Sequence, residues 1–143
     1  MTVIHKSALV HFSAEAMRTL VTDIESYPEF LPWCRSSKIL SQADNVVEAE
    51  LDIAWSGLNQ SFATRNTLTE QGNINMQLIS GPFRNLDGVW HFLPLREDAS
   101  KISLELEFEF SSKLNQLAFG AVFNQICNTM VNAFTHRAKD IYD

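Results

Sequence analysis

The sequence predicts an α+β fold in which a curved antiparallel sheet of about seven strands closes around one long C-terminal helix. Three observations predict it. From about Leu114 to Tyr142, the residues Phe119, Val122, Phe123, Ile126, Met130, Ala133, Phe134 and Ile141 recur at three- and four-residue spacing, so they share one helix face. Upstream, between Arg35 and Phe110, successive segments alternate apolar and polar residues with turn signals between them. The connections are short, which favours antiparallel neighbours. A helix that is apolar around half its circumference needs a broad partner, and a sheet with one apolar face supplies it.

Taken in order, residues 3–12 predict a strand with Ile4, Lys6, Ala8, Val10 and Phe12 on one face, both faces being partly covered. Ser13 is placed to cap a short helix whose first turn carries Glu15 and whose apolar side is Met17, Leu20 and Val21. In the segment 23–34, Pro28 and Pro32 forbid a long helix, so one or two short helical turns are expected. Tyr27, Phe30, Leu31 and Trp33 are too apolar for a solvent loop and are expected to fold over the core as a lid or edge. Strands then follow at Arg35–Leu40, Val46–Trp55, Leu58–Thr69, Ile74–Ser80, Leu86–Leu95 and Ile102–Phe110. Turns are expected at 42–45, 56–57, 70–73 and 97–100, and Gly81-Pro82 interrupts the chain before the fifth of these strands. Phe62, Thr64, Asn66 and Leu68 share one face of their strand; Ser61, Ala63, Arg65 and Thr67 share the other. The last strand alternates Ile102, Leu104, Leu106, Phe108 and Phe110 against Ser103, Glu105, Glu107 and Glu109.

The 143 residues suit a single domain spanning 1–143, long enough for a real core. A net charge of −6 argues against a general polyanion-binding surface, and so against general DNA binding. No secretion signal is predicted, and Cys34 and Cys127 are expected as free thiols. From Leu114 to Thr135 there is no charged residue, but the Asn and Gln side chains there would be costly in hydrocarbon. The expected location is the cytoplasm, with peripheral contact at the inner membrane.

Motifs of catalysis are missing. His5, His11, His91 and His136 show no metal-ligand spacing with the cysteines, and no P-loop, G-x-S-x-G, CxxC or GxGxxG occurs. The acidic runs at 48–52 and 105–109 read as solvated strand faces. Arg65 has two readings: an outward residue paired with a carboxylate, or a polar anchor in an otherwise apolar cavity. Aromatic residues are abundant, and a curved sheet facing a half-apolar helix tends to keep a cavity. Gly120 is read as a point of close approach on the helix.

Three blocks carry a family resemblance. They are Asp23-Ile24-Glu25-Ser26-Tyr27-Pro28-Glu29-Phe30-Leu31-Pro32-Trp33-Cys34; then Gly81-Pro82-Phe83 with Leu86, Gly88, Trp90 and Phe92; then Phe108-Glu109-Phe110 continuing through Lys113-Leu114, Leu117–Gly120, Met130-Val131, Ala133-Phe134 and Arg137–Lys139. Together they resemble the coenzyme Q-binding START-like family, once labelled polyketide cyclase/dehydrase, and its bacterial ribosome association toxin (RatA-like) branch. The resemblance covers the whole chain. It implies a helix-grip fold enclosing a lipid-accommodating cavity. It also implies ubiquinone or a related polyprenyl lipid as ligand in support of respiration, with no required cofactor and no catalytic residues. For the toxin branch it implies binding to the large ribosomal subunit and blocking of subunit association. On an acidic chain such contact would use a local basic patch, for example among Arg35, Lys38, Arg84 and Arg96.

The resulting expectation is a non-enzymatic binding module for a hydrophobic ligand, with transient membrane contact. The alternatives are the ribosome-directed toxin and, third, a polyketide cyclase-like enzyme, which would need His5 or His11 facing inward. The expected cavity residues are Tyr27, Phe30, Leu31, Trp33, Arg65, Trp90, Phe92, Phe110, Phe119, Phe123, Ile126 and Met130.

Overall fold

A computed structural model describes residues 1–55 and 57–142. The turn expected at 56–57 therefore lies partly outside the described residues. Seven strands form one antiparallel sheet: β1 (Thr2–Val10), β2 (Cys34–Ala43), β3 (Val46–Trp55), β4 (Leu58–Leu68), β5 (Ile74–Ser80), β6 (Phe83–Arg96) and β7 (Ala99–Phe110). Their order across the sheet is β1-β7-β6-β5-β4-β3-β2. Strands β2 to β7 are a plain meander, and β1 joins its far edge beside β7. The two edges, β1 and β2, are consecutive in the chain, so residues 11–33 have to cross from one edge to the other. Helix α1 (Ala14–Thr22) and a 3₁₀ helix (Ile24–Glu29) make that crossing. Helix α2 (Lys113–Tyr142) packs against the sheet and α1.

The α1 start is as expected: the Ser13 side chain accepts a hydrogen bond from the Ala16 N–H at 3.0 Å. The one or two short helical turns expected take the form of a single 3₁₀ helix with Pro28 inside it. Three strands run longer than the alternation indicated. β2 continues to Ala43, leaving Asp44, at φ 53°, and Asn45 as a tight turn. β6 begins at Phe83 and β7 at Ala99, because the two pair with each other as one long hairpin. The outer face of β1 is open rather than partly covered, with Val3 69% and Leu9 74% exposed.

The α2 face is broader than the spacing suggested. Phe119, Phe123, Ile126 and Phe134 are buried as expected, and Cys127, Val131 and Ala138 join them, whereas Ile141 is exposed. Each large apolar side chain in this seam stabilises by roughly 1.5–3 kcal/mol. One end of the core is a phenylalanine cluster in which Phe83 meets Phe62, Phe108, Phe110, Phe119 and Phe123 at 4.9–6.4 Å between ring centres. At the other end Phe134 meets Tyr27, Phe30 and Trp90 at 5.3–5.5 Å.

Gly120 is not a close approach. A Cβ built there would meet Phe110 at 3.7 Å and Gln116 at 3.9 Å, which are ordinary contacts. Gly120→Ala is therefore expected to raise stability by up to about 1 kcal/mol through helix propensity, read as a higher urea midpoint with unchanged slope. Close approach occurs at Gly72 and Gly81 in turns and, within the sheet, at Gly88, where a Cβ would fall 2.6 Å from Leu106, 2.9 Å from Met76 and 3.0 Å from the Glu105 carbonyl oxygen.

Candidate ligand cavity

The concave sheet face and α2 do not close completely. Between the two aromatic clusters lies a cavity of about 80 Å³. From α2 its wall is Phe123, Ile126, Cys127, Met130 and Phe134; Phe123 and Phe134 are separated by about 16 Å along the helix axis. The sheet contributes Ala49, Leu51, Phe62, Thr64, Asn66, Met76, Leu86, Trp90, Leu104 and Leu106. The crossing segment contributes Ile24, Tyr27 and Trp33. Among the described residues, no lysine, arginine, histidine or carboxylate lines it.

A wider cleft of about 310 Å³ adjoins it, between the end of α1, the 3₁₀ helix and the β2–β3 and β4–β5 turns. Ile24, Tyr27, Asn66, Met76 and Trp90 border both spaces and form the partition between them. The rim of the cleft is tied together. Asn45 exchanges two hydrogen bonds of 2.8 Å with Leu68, and Arg18 donates to the Gly72 carbonyl at 2.7 Å while lying over the Phe92 ring.

The crossing segment is fastened down as a cover. The Tyr27 hydroxyl donates to the Val21 carbonyl oxygen. That carbonyl belongs to the last turn of α1, where helix acceptors lack helical donors. Burial, then the nearby Cys34 and Asp23, push the Tyr27 hydroxyl pKa well above its ordinary value, so it is a hydrogen-bond donor and not an acid at neutral pH. Ser37 donates to the Ile24 carbonyl at 2.8 Å. From α2, Arg137 reaches Glu29 at 3.2 Å and lies over the Phe30 ring at 4.8 Å. Tyr27→Phe is expected to cost about 1–2 kcal/mol by leaving the Val21 carbonyl without its donor, measured by urea denaturation at pH 7.

Of the residues expected at the cavity, Tyr27, Trp33, Trp90, Phe123, Ile126 and Met130 line it. The others lie elsewhere. Arg65 faces the outer surface, where it pairs with Glu48 at 2.8 Å; the two are direct cross-strand partners. That bond, then one from Ser41, holds the Glu48 carboxyl below its ordinary range. Arg65 belongs to the outward face with Ala63 and Thr67, so an inward side chain would need a register slip. Phe110 and Phe119 are consumed in the phenylalanine cluster around Phe83. Phe92 stacks beyond Trp90 beneath Arg18. Phe30 packs outside Phe134, and Leu31 faces a separate surface groove with Trp55 and Val122.

Twelve lining residues were not anticipated, among them Thr64, Asn66, Met76 and Cys127. The first two carried a signal, because they are polar yet share a face with Phe62. Both thiols are free and buried. Burial pushes Cys127 up to about 12, and burial with the Asp52 charge pushes Cys34 up to about 11. His5 and His91 lie on the outer face, flanking Glu105 at 3.8 and 3.5 Å, and His11 is exposed. The suggested basic patch does not assemble. Arg35, Arg84 and Arg96 each pair with a carboxylate, at Asp52, Glu109 and Asp98, and Arg84 and Arg96 stand at opposite ends of β6.

Among known proteins, residues 10–135 match the family described as polyketide cyclase / dehydrase and lipid transport. The ribosome association toxin RatA of Vibrio cholerae is 50% identical over 142 residues, covering 99% of each chain. The mitochondrial coenzyme Q-binding protein COQ10 homolog B of Xenopus laevis is 30% identical over 141 residues, covering 96% of this chain and 58% of that protein. A START superfamily protein from Mycobacterium smegmatis superposes with a TM-score of 0.82 at 20% identity, covering 97% and 98% of the two chains. The seven-stranded sheet gripping α2 is thus the START-like fold, and the chain belongs to the polyketide cyclase / dehydrase and lipid transport family, alongside its RatA relatives.

Proposed function

We propose that this chain binds an uncharged hydrophobic lipid, of the polyprenyl quinone class, between its concave sheet face and α2, and that it acts by binding rather than by catalysis. The observation that carries this reading is a cavity with no charged lining among the described residues, parted from the adjoining cleft only by Ile24, Tyr27, Asn66, Met76 and Trp90. By itself the cavity holds only two or three water volumes. Joined to the cleft, the space reaches the lower end of the range that small-molecule sites occupy. A quinone ring takes up the inner space once the partition side chains turn aside, and the tail leaves through the cleft. The wall offers no group that titrates near neutrality: Tyr27 and Cys127 are both shifted upward. This supports binding over acid/base chemistry on a bound substrate. The coenzyme Q-binding name of the Xenopus relative supports the same reading. Quinones reside in bilayers, so loading implies transient membrane contact; among the described residues no helix is long and apolar enough to cross a membrane. Organic extraction of protein purified from its own host, followed by mass spectrometry, tests the proposal. A stoichiometric quinone is expected. Recovery of no lipid, together with no binding of added short-chain quinone, would sink it.

A second reading is favoured by the 50% identity to the Vibrio cholerae protein named ribosome association toxin: contact with the large ribosomal subunit through the outer surface. The two readings use different parts of the molecule and are compatible. Sucrose-gradient sedimentation after overexpression discriminates. Co-sedimentation with the large subunit and a loss of whole ribosomes are expected; normal ribosome profiles with the protein confined to the top of the gradient would exclude it.

A further inference from the structure

We infer that Asn66 is the polar anchor of the cavity, its Nδ2 donating a hydrogen bond to a ring carbonyl of an uncharged lipid head. This rests on the cavity being a ligand site, and adds which atom orients the ligand and which functional group it meets. On β4, Asn66 stands between Val47 of β3 and Met76 of β5, and it borders both the cavity and the cleft. Anything passing from one space to the other passes this amide. The Thr64 hydroxyl donates to Asn66 Oδ1 at 3.0 Å, and Thr64 is itself 9% exposed. That bond occupies the amide oxygen and sets which way the group points. The two N–H donors of Nδ2 are left without a protein partner among the described residues.

Among the described residues, the indole N–H groups of Trp33 and Trp90 are further donors on the wall, and its other polar groups are spent or weak. The Tyr27 hydroxyl is committed to Val21, and the protonated Cys127 thiol is a weak donor. With no charged side chain lining the cavity among the described residues, an ionised head would be buried without compensation. A pure hydrocarbon would cover the amide and leave its donors unmet, which is costly. A neutral head with an acceptor oxygen satisfies both conditions, and the carbonyl of a quinone ring supplies one beside an apolar tail.

The test compares two probes with the same tail, decylubiquinone and decylbenzene, using fluorescence of the cavity residues Trp33 and Trp90 and equilibrium dialysis as a second readout. Wild type is expected to prefer the quinone. Asn66→Leu is expected to weaken quinone binding about three- to tenfold, the worth of one hydrogen bond, and to leave decylbenzene affinity unchanged or improved. Thr64→Val, which frees the amide to rotate, is expected to show a smaller loss of the same selectivity. If Asn66→Leu binds both probes as wild type does, the anchor is refuted while the apolar cavity stands. If wild type binds neither probe, the cavity reading falls and the anchor with it. Should Asn66→Leu fail to fold, Asn66→Ser and Thr64→Val decide the matter, and quinone affinity unchanged in both refutes the anchor.

Discussion

Phe134→Ala is expected to destabilise the protein by about 3–5 kcal/mol, the usual cost of removing a fully buried ring and leaving a void. Phe134 is 1% exposed and is the hub of the aromatic cluster at the cavity's far end. Its ring packs edge-on against Trp90 of the sheet and against Tyr27 and Phe30 of the crossing segment. It therefore joins three elements at once: α2, the sheet and the cover. Domains of this size have about 5–15 kcal/mol to lose, so the variant should approach the limit of folding at 37 °C. The matching control is Leu117→Ala on the same helix. Leu117 is 76% exposed, and the change should stay within about 0.5 kcal/mol of wild type. Urea denaturation followed by far-UV circular dichroism measures both. Equal costs at the two positions would mean that α2 presents a different face to the sheet.

Most of this architecture was legible in the chain because the signals were periodic. The α2 boundaries, the Ser13 cap and the inward face of β7 follow from spacing alone, since a helix or strand period leaves little freedom about which side chains point together. The cavity was only half legible. Periodicity assigns a residue to the concave face but not to a position along it. Phe110 and Phe119 point inward as expected, yet they sit at the end where Phe83 gathers neighbouring rings, and that end is filled. Of the two readings of Arg65, the outward one paired with a carboxylate holds and the cavity anchor does not. Alternation put it on the face opposite Phe62 and Thr64, and its partner Glu48 lies directly across on β3, a register that emerges only once the strands are paired. The same alternation marked Thr64 and Asn66 as polar groups on an apolar face. That anomaly, and not the charge nearby, is what the proposed anchor rests on. Cys127, Val131 and Ala138 were missed because a broad concave sheet covers more of a helix than a narrow seam does.

Stability should fall steeply between pH 9 and 12, and Cys127 should account for a large share of the fall. In the unfolded chain its thiol ionises near 9.0; in the fold burial pushes it up to about 12. Below pH 9 both states keep the proton and the group adds no pH dependence. Between the two values the unfolded chain gives up its proton while the folded one holds it, so each pH unit favours unfolding by about 1.4 kcal/mol. Across three units this amounts to roughly 4 kcal/mol. Tyr27 acts in the same direction, beginning higher, since its unfolded value is 10.0 and burial raises the folded one. Denaturation midpoints of wild type and Cys127→Ala at pH 8, 9, 10 and 11 test the assignment. The variant starts lower at pH 8 because a buried sulfur is gone, but its curve should decline less steeply, and parallel curves would remove Cys127 as the cause. The same burial has a consequence for the proposed ligand. A thiolate is the nucleophilic form of cysteine, and an electron-poor ring is a target for it. A cavity wall that holds its thiol protonated at neutral pH can keep such a ring in contact without reacting with it.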